Sequence, residues 1–234
     1  MGAKTVILLP PSEGKTPDGS GPPWSSGRSA VGALDRHRMA VLDALGDDHP
    51  ARTGATMPAL DRYSGVLYKE LDAGTLRGTA RRRLNRNVLT VSGLWGLAAP
   101  TDPIPYYKLK MSSSVPPLGK LSTWWRPHLT DALVSKTVGA VVWDLLPNEH
   151  AAAVEWGELQ PRQRVTVQFL DRSGRTVSHW NKLLKGSIVR WLLQTGETDP
   201  LALECFTHPQ GYRLDLDAST VESDRCALVM REQD

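Results

Sequence analysis

The sequence Thr5-Val6-Ile7-Leu8-Leu9 runs directly into Pro10-Pro11-Ser12-Glu13-Gly14-Lys15-Thr16, and this change from apolar to polar residues sets how the fold begins. A short run of β-branched and leucine residues is typical of a strand buried in a sheet. The stretch 10–29 is rich in Pro, Gly and Ser, which predicts a loop. The chain is therefore expected to start as a buried strand that ends in a polar loop.

Two later strand candidates end in the same way. Val88-Leu89-Thr90-Val91 precedes Ser92-Gly93-Leu94-Trp95-Gly96, and Val141-Val142-Trp143 precedes Asp144-Leu145-Leu146-Pro147-Asn148-Glu149-His150. In an open α/β sheet the carboxyl ends of parallel strands line one crevice, where ligands bind. If the three strands are parallel neighbours, five polar residues face one another there: Ser12, Lys15, Ser92, Asp144 and Asn148.

Helices are predicted between the strands, from apolar residues at helical spacing. They cover 33–45, 60–71, 75–86, 123–134, 151–158 and Asn181–Thr195, the last with Gly196 as its C-cap. The segments 165–170 and 175–180 alternate like the two strands of a hairpin around a turn at 171–174. A short helix and one or two edge strands are expected in the tail. The prediction is a mixed α/β chain, one mixed sheet covered by helices, forming a single domain over 1–234.

The stretch Ser178-His179-Trp180-Asn181-Lys182-Leu183-Leu184-Lys185-Gly186 lies where a predicted strand leads into a helix. The N–H groups at a helix start point outward and favour a negative charge, so this junction is a natural anion site. The alternative is a solvated basic face, which is common for lysines three or four residues apart. Polar residues also follow the three strand candidates described above, and this coincidence favours a shared basic cleft over a solvated face.

Composition and hydropathy argue against a disulfide-rich, metal-binding, secreted or membrane-spanning protein. The 234 residues carry a formal net charge of +3, which is compatible with an anionic small molecule or a nucleic acid. The two cysteines, Cys205 and Cys226, suit reduced structural thiols, and no metal constellation or cofactor is predicted. The N-terminus lacks the features of a secretory signal, and no apolar run reaches the length of a membrane span. A cytoplasmic protein without a membrane partner is expected, with a monomer favoured.

Gly14-Lys15-Thr16 superficially matches the end of a phosphate-binding loop. Leu9 occupies the position of the first glycine, however, and Pro17 follows, so a helix cannot begin there as the motif requires. Lys15 is instead expected to reach an anion from a loop, as a point charge.

The densest basic run is Arg81-Arg82-Arg83 with Arg86. It indicates either contact with nucleic-acid phosphates or a solvated helix face. The adjacent Trp124 and Trp125 raise a weaker hypothesis, a tryptophan-rich interface for a protein partner.

Four motifs in register resemble the YaaA family of peroxide-stress proteins, in its shorter, actinobacterial form. They are residues 8–16, quoted above; Leu60-Asp61-Arg62-Tyr63-Ser64-Gly65-Val66-Leu67-Tyr68; Ser92-Gly93-Leu94-Trp95-Gly96 with Asp102-Pro103-Ile104-Pro105-Tyr106-Tyr107-Lys108-Leu109; and Ser178-His179-Trp180-Asn181-Lys182 with Lys185-Gly186. The resemblance implies a compact α/β protein of the cytosol with a basic cleft. It also implies resistance to hydrogen peroxide and binding of double-stranded DNA.

Two functions follow as hypotheses. The first is protection from oxidative stress through DNA binding. The alternative is an enzyme that acts on a small anionic, nucleotide-like or carboxylated substrate in the same cleft. Its predicted catalytic residues are Lys182 and Lys15 as base or nucleophile, Asp144 and His179 as proton-transfer partners, and Ser12. Its predicted ligand-binding residues are Arg62, Tyr63, Tyr68, Ser92, Trp95, Tyr107, Lys108, Asn148, Asn181 and Lys185.

Overall fold

The computed structural model describes residues 4–177 and 181–233. The strands are β1 (Thr5–Leu9), β2 (Met57–Pro58), β3 (Val88–Ser92), β4 (Gly96–Ala98), β5 (Pro103–Ile104), β6 (Ser114–Val115), β7 (Gly119–Lys120), β8 (Val141–Asp144), β9 (Gln163–Leu170), β10 (Tyr212–Val221) and β11 (Arg225–Glu232). The α-helices are α1 (Asp35–Leu45), α2 (Pro50–Thr53), α3 (Ala59–Arg62), α4 (Val66–Leu71), α5 (Gly78–Asn87), α6 (Leu121–Thr137), α7 (Asn148–Ala151) and α8 (Asn181–Thr195). Short 3-10 helices lie at Gly32–Leu34, Ala73–Thr75, Trp156–Glu158 and Pro200–Cys205.

Within these described ranges, seven strands form one sheet in the order β10-β11-β9-β8-β1-β3-β4. The pairs β1–β3, β1–β8, β8–β9 and β9–β11 are parallel, and the pairs at the two edges are antiparallel. The predicted mixed sheet with helices is therefore confirmed. The three strands whose ends are polar are parallel neighbours, with β1 in the middle.

The central strands are buried on both faces, as strands enclosed by helices must be. All five residues of β3 and all four of β8 are buried, and β1 is buried from Val6 to Leu9. The fully buried tryptophans Trp95, Trp125 and Trp143 fill the largest volumes of this core. No helix in the described part of the chain is long and apolar enough to cross a membrane.

Most predicted helices are confirmed, and α8 has the predicted bounds. Gly196 follows it with a φ of 77°, the left-handed conformation that glycine adopts at a helix end. The prediction of one helix over 60–71 is wrong, because the chain leaves the helical path between α3 and α4. There Tyr63 forms a β-bridge with Lys15, and the N–H of Ser64 donates to the carbonyl of Gly14 at 3.1 Å. The helix predicted over 151–158 is also wrong: α7 ends at Ala151, and a 3-10 turn follows at Trp156–Glu158.

The described part of the hairpin predicted over 165–180 is present. β9 pairs with β11 along 164–170 but with β8 only along 163–166, which leaves the other edge of 167–170 open to residues 175–177. There the N–H of Val177 donates to the carbonyl of Phe169 at 2.9 Å. These residues make one bridge, between Leu170 and Thr176, around the expected tight turn. Ser178, His179 and Trp180 lie outside the described residues.

Candidate functional site

The first polar cluster lies at the carboxyl ends of β1 and β3. The Tyr107 hydroxyl is 2.6 Å from the Ser92 hydroxyl and 2.9 Å from the Tyr63 hydroxyl, and all three side chains are buried. The Ser92 hydroxyl also accepts a hydrogen bond from the backbone N–H of Trp95 at 3.2 Å. These residues come from three separated segments, which the strand ends bring together.

Lys15 lies against this hydroxyl cluster. Its ammonium is 4.3 Å from the centre of the Tyr107 ring and donates to the carbonyl of Ser12 at 2.7 Å. Burial lowers the pKa of Lys15 to about 8, with Glu13 opposing the shift and Arg62 and Lys108 adding to it. At pH 7 the Lys15 amine is then neutral in about a tenth of the molecules. The same side chain can therefore hold an anion or accept a proton.

The neighbouring phenols stay protonated. Burial raises the pKa of Tyr107 to about 12 and raises the pKa of Tyr63 well above its ordinary value. Burial also raises the pKa of Tyr68, whose hydroxyl donates to the carbonyl of Pro10 at 2.8 Å and lies 3.1 Å from the Thr90 hydroxyl. The hydroxyls beside Lys15 are thus neutral hydrogen-bonding groups near pH 7.

A second cluster lies at the end of β8. The Asp144 carboxylate accepts two hydrogen bonds from the guanidinium of Arg164, at 3.1 and 2.6 Å, and one from the N–H of Leu146 at 3.2 Å. The Lys185 ammonium donates to the carbonyl of Leu145 at 3.0 Å. Burial lowers the pKa of Lys185, and the charge of Asp144 opposes that shift. Arg164 could have been suspected from the sequence only as a charge within the alternating strand β9.

Two glycines permit the close contacts that bring these segments to the strand ends. A Cβ on Gly65 would lie 2.6 Å from the Cβ of Ser12, and a Cβ on Gly186 would lie 2.5 Å from the carbonyl oxygen of Leu67. Helix α8 therefore packs closely on α4. That packing carries Lys185 toward Leu145, whose N–H donates to the carbonyl of Leu8 in β1 at 3.1 Å.

Several predicted site residues lie elsewhere or have other partners. Arg62 is fully buried, and its guanidinium binds five backbone carbonyls, those of Thr16, Pro17, Asp18, Ala55 and Ile104. Trp95 is fully buried beside Trp24 and Arg38, so its ring faces are covered by protein. Lys108, Asn148 and Lys182 are exposed, and Asn181 is half-buried at the start of α8. His179 lies outside the described residues.

The hydroxyl of Ser12 donates to the carbonyl of Gly14, within the loop that carries Lys15. Over residues 4–177 and 181–233, no three His, Cys, Asp or Glu side chains are grouped closely enough to hold a metal ion. The described site thus consists of amine, guanidinium, hydroxyl and carboxylate groups, which suit anion binding and proton transfer.

Comparison with known proteins identifies relatives of this chain. A family model described as "Peroxide stress protein YaaA" matches residues 6–218. A UPF0246 protein of Streptomyces coelicolor is 36% identical over 91% of this chain and 93% of its own length. A UPF0246 protein of Corynebacterium glutamicum is 34% identical over 80% and 84% of the two chains, and one of Corynebacterium efficiens is 28% identical over 96% and 100%. These matches confirm the resemblance that the sequence motifs indicated.

Proposed function

Because the chain belongs to the YaaA family of peroxide stress proteins, we propose that it protects the cell from peroxide by binding double-stranded DNA in the cytoplasm. The observation that carries this proposal is the charge on and just before α5. Arg77, Arg81, Arg82, Arg83 and Arg86 lie there, and no acidic residue occurs between positions 73 and 92. Among the described residues, none of these five arginines has a carboxylate within 4 Å.

Within the described residues, none of the side-chain hydrogen bonds of these arginines is to a carboxylate. Arg81 donates to the carbonyl of Ala73, and Arg83 donates to the carbonyls of Leu193 and Gln194. Arg82 and Arg86 are exposed and donate to neutral side-chain oxygens of Thr79 and Asn87. Arg82 and Arg86 thus present exposed guanidinium groups on one helix, which is the feature that phosphate contact requires.

The test is fluorescence anisotropy with a labelled DNA duplex at low salt. Arg82→Ala is expected to weaken binding about fivefold, because a charged hydrogen bond to phosphate is worth roughly 1 kcal/mol at a surface. The matched control is Arg213→Ala, which removes the same charge from an exposed position on β10, at the opposite edge of the sheet from β3 and β4. Equal weakening by both substitutions, or no binding by the wild-type protein, would contradict the proposal.

A second candidate is an enzyme that acts on a small anionic substrate at the strand ends. It is favoured by Lys15, a largely buried amine with a lowered pKa beside a chain of three buried hydroxyls. In this proposal Lys15 is the base or nucleophile. Tyr63 and Tyr107 donate or accept hydrogen bonds, and Lys185 contributes positive charge. Arg62 shapes the loop over the site through its five carbonyl contacts.

A thermal-shift screen of nucleotides, nucleosides and amino acids tests this candidate. A ligand that raises the Tm of the wild-type protein is expected to lose its effect in Lys15→Met. The matched control is Lys182→Met, which removes the same charge at an exposed position on α8. A shift that survives in Lys15→Met and disappears in Lys182→Met would assign the role of base or nucleophile to Lys182 instead.

A protein interface built on the paired tryptophans is less well supported. Trp125 is fully buried, and its indole N–H donates to the carbonyl of Gly93 at 2.8 Å. Trp124 is half-buried, with its ring against those of His37 and His128. We therefore retain the monomer as the proposed state, which size-exclusion chromatography with light scattering tests directly.

A further inference from the structure

A cavity of about 810 Å³ lies at the amino ends of β1 and β3, away from the strand-end site. Its walls include the last turns of three helices, α5, α6 and α8. Lys4, Arg83, Arg86 and Lys136 supply its cationic groups. The volume falls within the usual range for small-molecule sites.

Two of these cations neutralise helix ends. The ammonium of Lys4 donates to the carbonyl of Ser135 at 2.9 Å, in the last turn of α6. The guanidinium of Arg83 donates to the carbonyls of Leu193 and Gln194, both at 2.9 Å, in the last turn of α8. The carboxyl end of a helix carries about half a negative charge, so these contacts are explained by the fold. Gly196 leaves room for this contact, because a Cβ there would lie 2.2 Å from Arg83 Nη2.

The other two cations lie in the last turns of their own helices, Arg86 in α5 and Lys136 in α6, where a positive charge is favoured. Within the described part of the chain, the guanidinium of Arg86 donates only to the side-chain oxygen of its neighbour Asn87, and the ammonium of Lys136 makes no hydrogen bond. Glu197 is the single acidic residue of the cavity wall and lies beyond ion-pair distance of all four cations. Subtracting Glu197 and the three helix ends, each about half a negative charge, from the four cations leaves about +1.5 in the cavity.

The rest of the wall includes an apolar surface. Val6, Ile7, Leu89 and Leu192 form its floor, where each residue belongs to the core and is at most 8% exposed. A cavity that combines a net positive charge with an apolar floor favours a ligand with one anionic end and one apolar part.

We propose that this cavity binds a small organic anion, with its phosphate or carboxylate on Arg86 and Lys136 and its apolar part against Val6, Ile7 and Leu192. The site is separate from the strand-end cluster. It also differs from the proposed DNA-binding surface on and before α5, because a DNA backbone offers phosphates but no apolar group that could reach the floor of the cavity. Arg83 and Arg86 belong to both surfaces, whereas Lys136 belongs to the cavity and Arg82 does not line it.

Isothermal titration calorimetry tests the proposal with phenyl phosphate, benzoate, inorganic phosphate and phenol as probes. Phenyl phosphate or benzoate should bind saturably, and more tightly than both inorganic phosphate and phenol. The comparison of phenyl phosphate with benzoate distinguishes the two kinds of anion. Lys136→Ala and Arg86→Ala should each weaken binding about fivefold, whereas Glu197→Gln should strengthen it by removing the opposing charge.

The control is Arg82→Ala, which removes the same charge from the same helix outside the cavity. It should leave the affinity for these probes unchanged while it weakens DNA binding, so the two proposals can fail separately. Absence of saturable binding up to millimolar concentration would overturn the inference. Equal weakening by Arg82→Ala and Lys136→Ala, or equal affinity for inorganic and phenyl phosphate, would overturn it as well.

Discussion

At the scale of single residues, the unusual group is the amine of Lys15. Its pKa of about 8 results mainly from burial, against an ordinary value of 10.5. Acetic anhydride reacts with neutral amines, so the labelling of Lys15 should rise with pH around a midpoint near 8. Peptide mass spectrometry between pH 6.5 and 11 measures this midpoint. A midpoint for Lys15 that coincides with that of the bulk of surface lysines would contradict the described environment.

The same pKa shift predicts how stability depends on pH. The folded state binds the Lys15 proton more weakly than the unfolded state, so the penalty for burying the charged amine is complete below pH 8 and disappears above pH 10.5. The free energy of unfolding of the wild-type protein, relative to Lys15→Met, should therefore rise between pH 8 and pH 10. Urea denaturation at both values measures it. A relative stability that falls over this interval would show that the charged form is favoured.

The positions of the polar residues at the strand ends could be predicted from the sequence, whereas their hydrogen-bond partners could not. Ser92 and Asp144 follow apolar runs directly, and Ser12 follows one after two prolines, so local sequence is enough to place all three at strand ends. Arg164 reaches Asp144 because β9 lies beside β8, and Thr90 reaches Tyr68 across two elements. Such contacts depend on strand order and register, which hydrophobic periodicity does not specify.

At the scale of secondary-structure elements, the contact between α8 and α4 depends on Gly186. Alanine is ordinarily favoured over glycine inside a helix by about 1 kcal/mol. Here the added Cβ would lie 2.5 Å from the carbonyl oxygen of Leu67, so Gly186→Ala should destabilise the protein by about 1–3 kcal/mol. The control is Gly74→Ala, where nothing lies within 4 Å of the added Cβ. Urea denaturation that finds both variants as stable as the wild type would refute this account of the packing.

The tail is joined to the same helices by a buried hydrogen-bonded chain. The hydroxyl of Ser187 donates to the carboxylate of Glu70 at 2.6 Å and lies 2.9 Å from Nε2 of His208. Ser187→Ala leaves both partners without this contact, and it should cost about 1–3 kcal/mol in chemical denaturation. Thr195→Ala removes an exposed hydroxyl from the same helix and should change stability by at most about 0.5 kcal/mol. Similar costs for the two variants would mean that the chain contributes little.

Elements differ in how far the sequence predicts them. The bounds of α8 are encoded locally, by apolar spacing and by the glycine that follows. The break between α3 and α4 is not local, because Tyr63 and Ser64 pair with the loop around Gly14 and Lys15, almost fifty residues earlier. The hairpin turn at 171–174 is encoded locally, whereas the pairing of β9 with β11 from the tail is not.

At the scale of the whole molecule, one sheet links the two ends of the chain. β1 begins at Thr5, and β11 ends at Glu232. Because strands from both ends belong to this sheet, we expect residues 1–234 to behave as one domain. The sheet separates the strand-end site, at the carboxyl ends of β1 and β3, from the cationic cavity at their amino ends.

The most direct test of the central claim is the salt dependence of duplex DNA binding by the wild-type protein. About four phosphate contacts from the arginines on and before α5 predict a slope near −4 for log K against log salt concentration. A steep linear loss of affinity between 50 and 200 mM salt (roughly 100-fold or more) is the predicted result. A slope shallower than about −1, or no retention of the duplex at 50 mM salt, would contradict DNA binding through this helix.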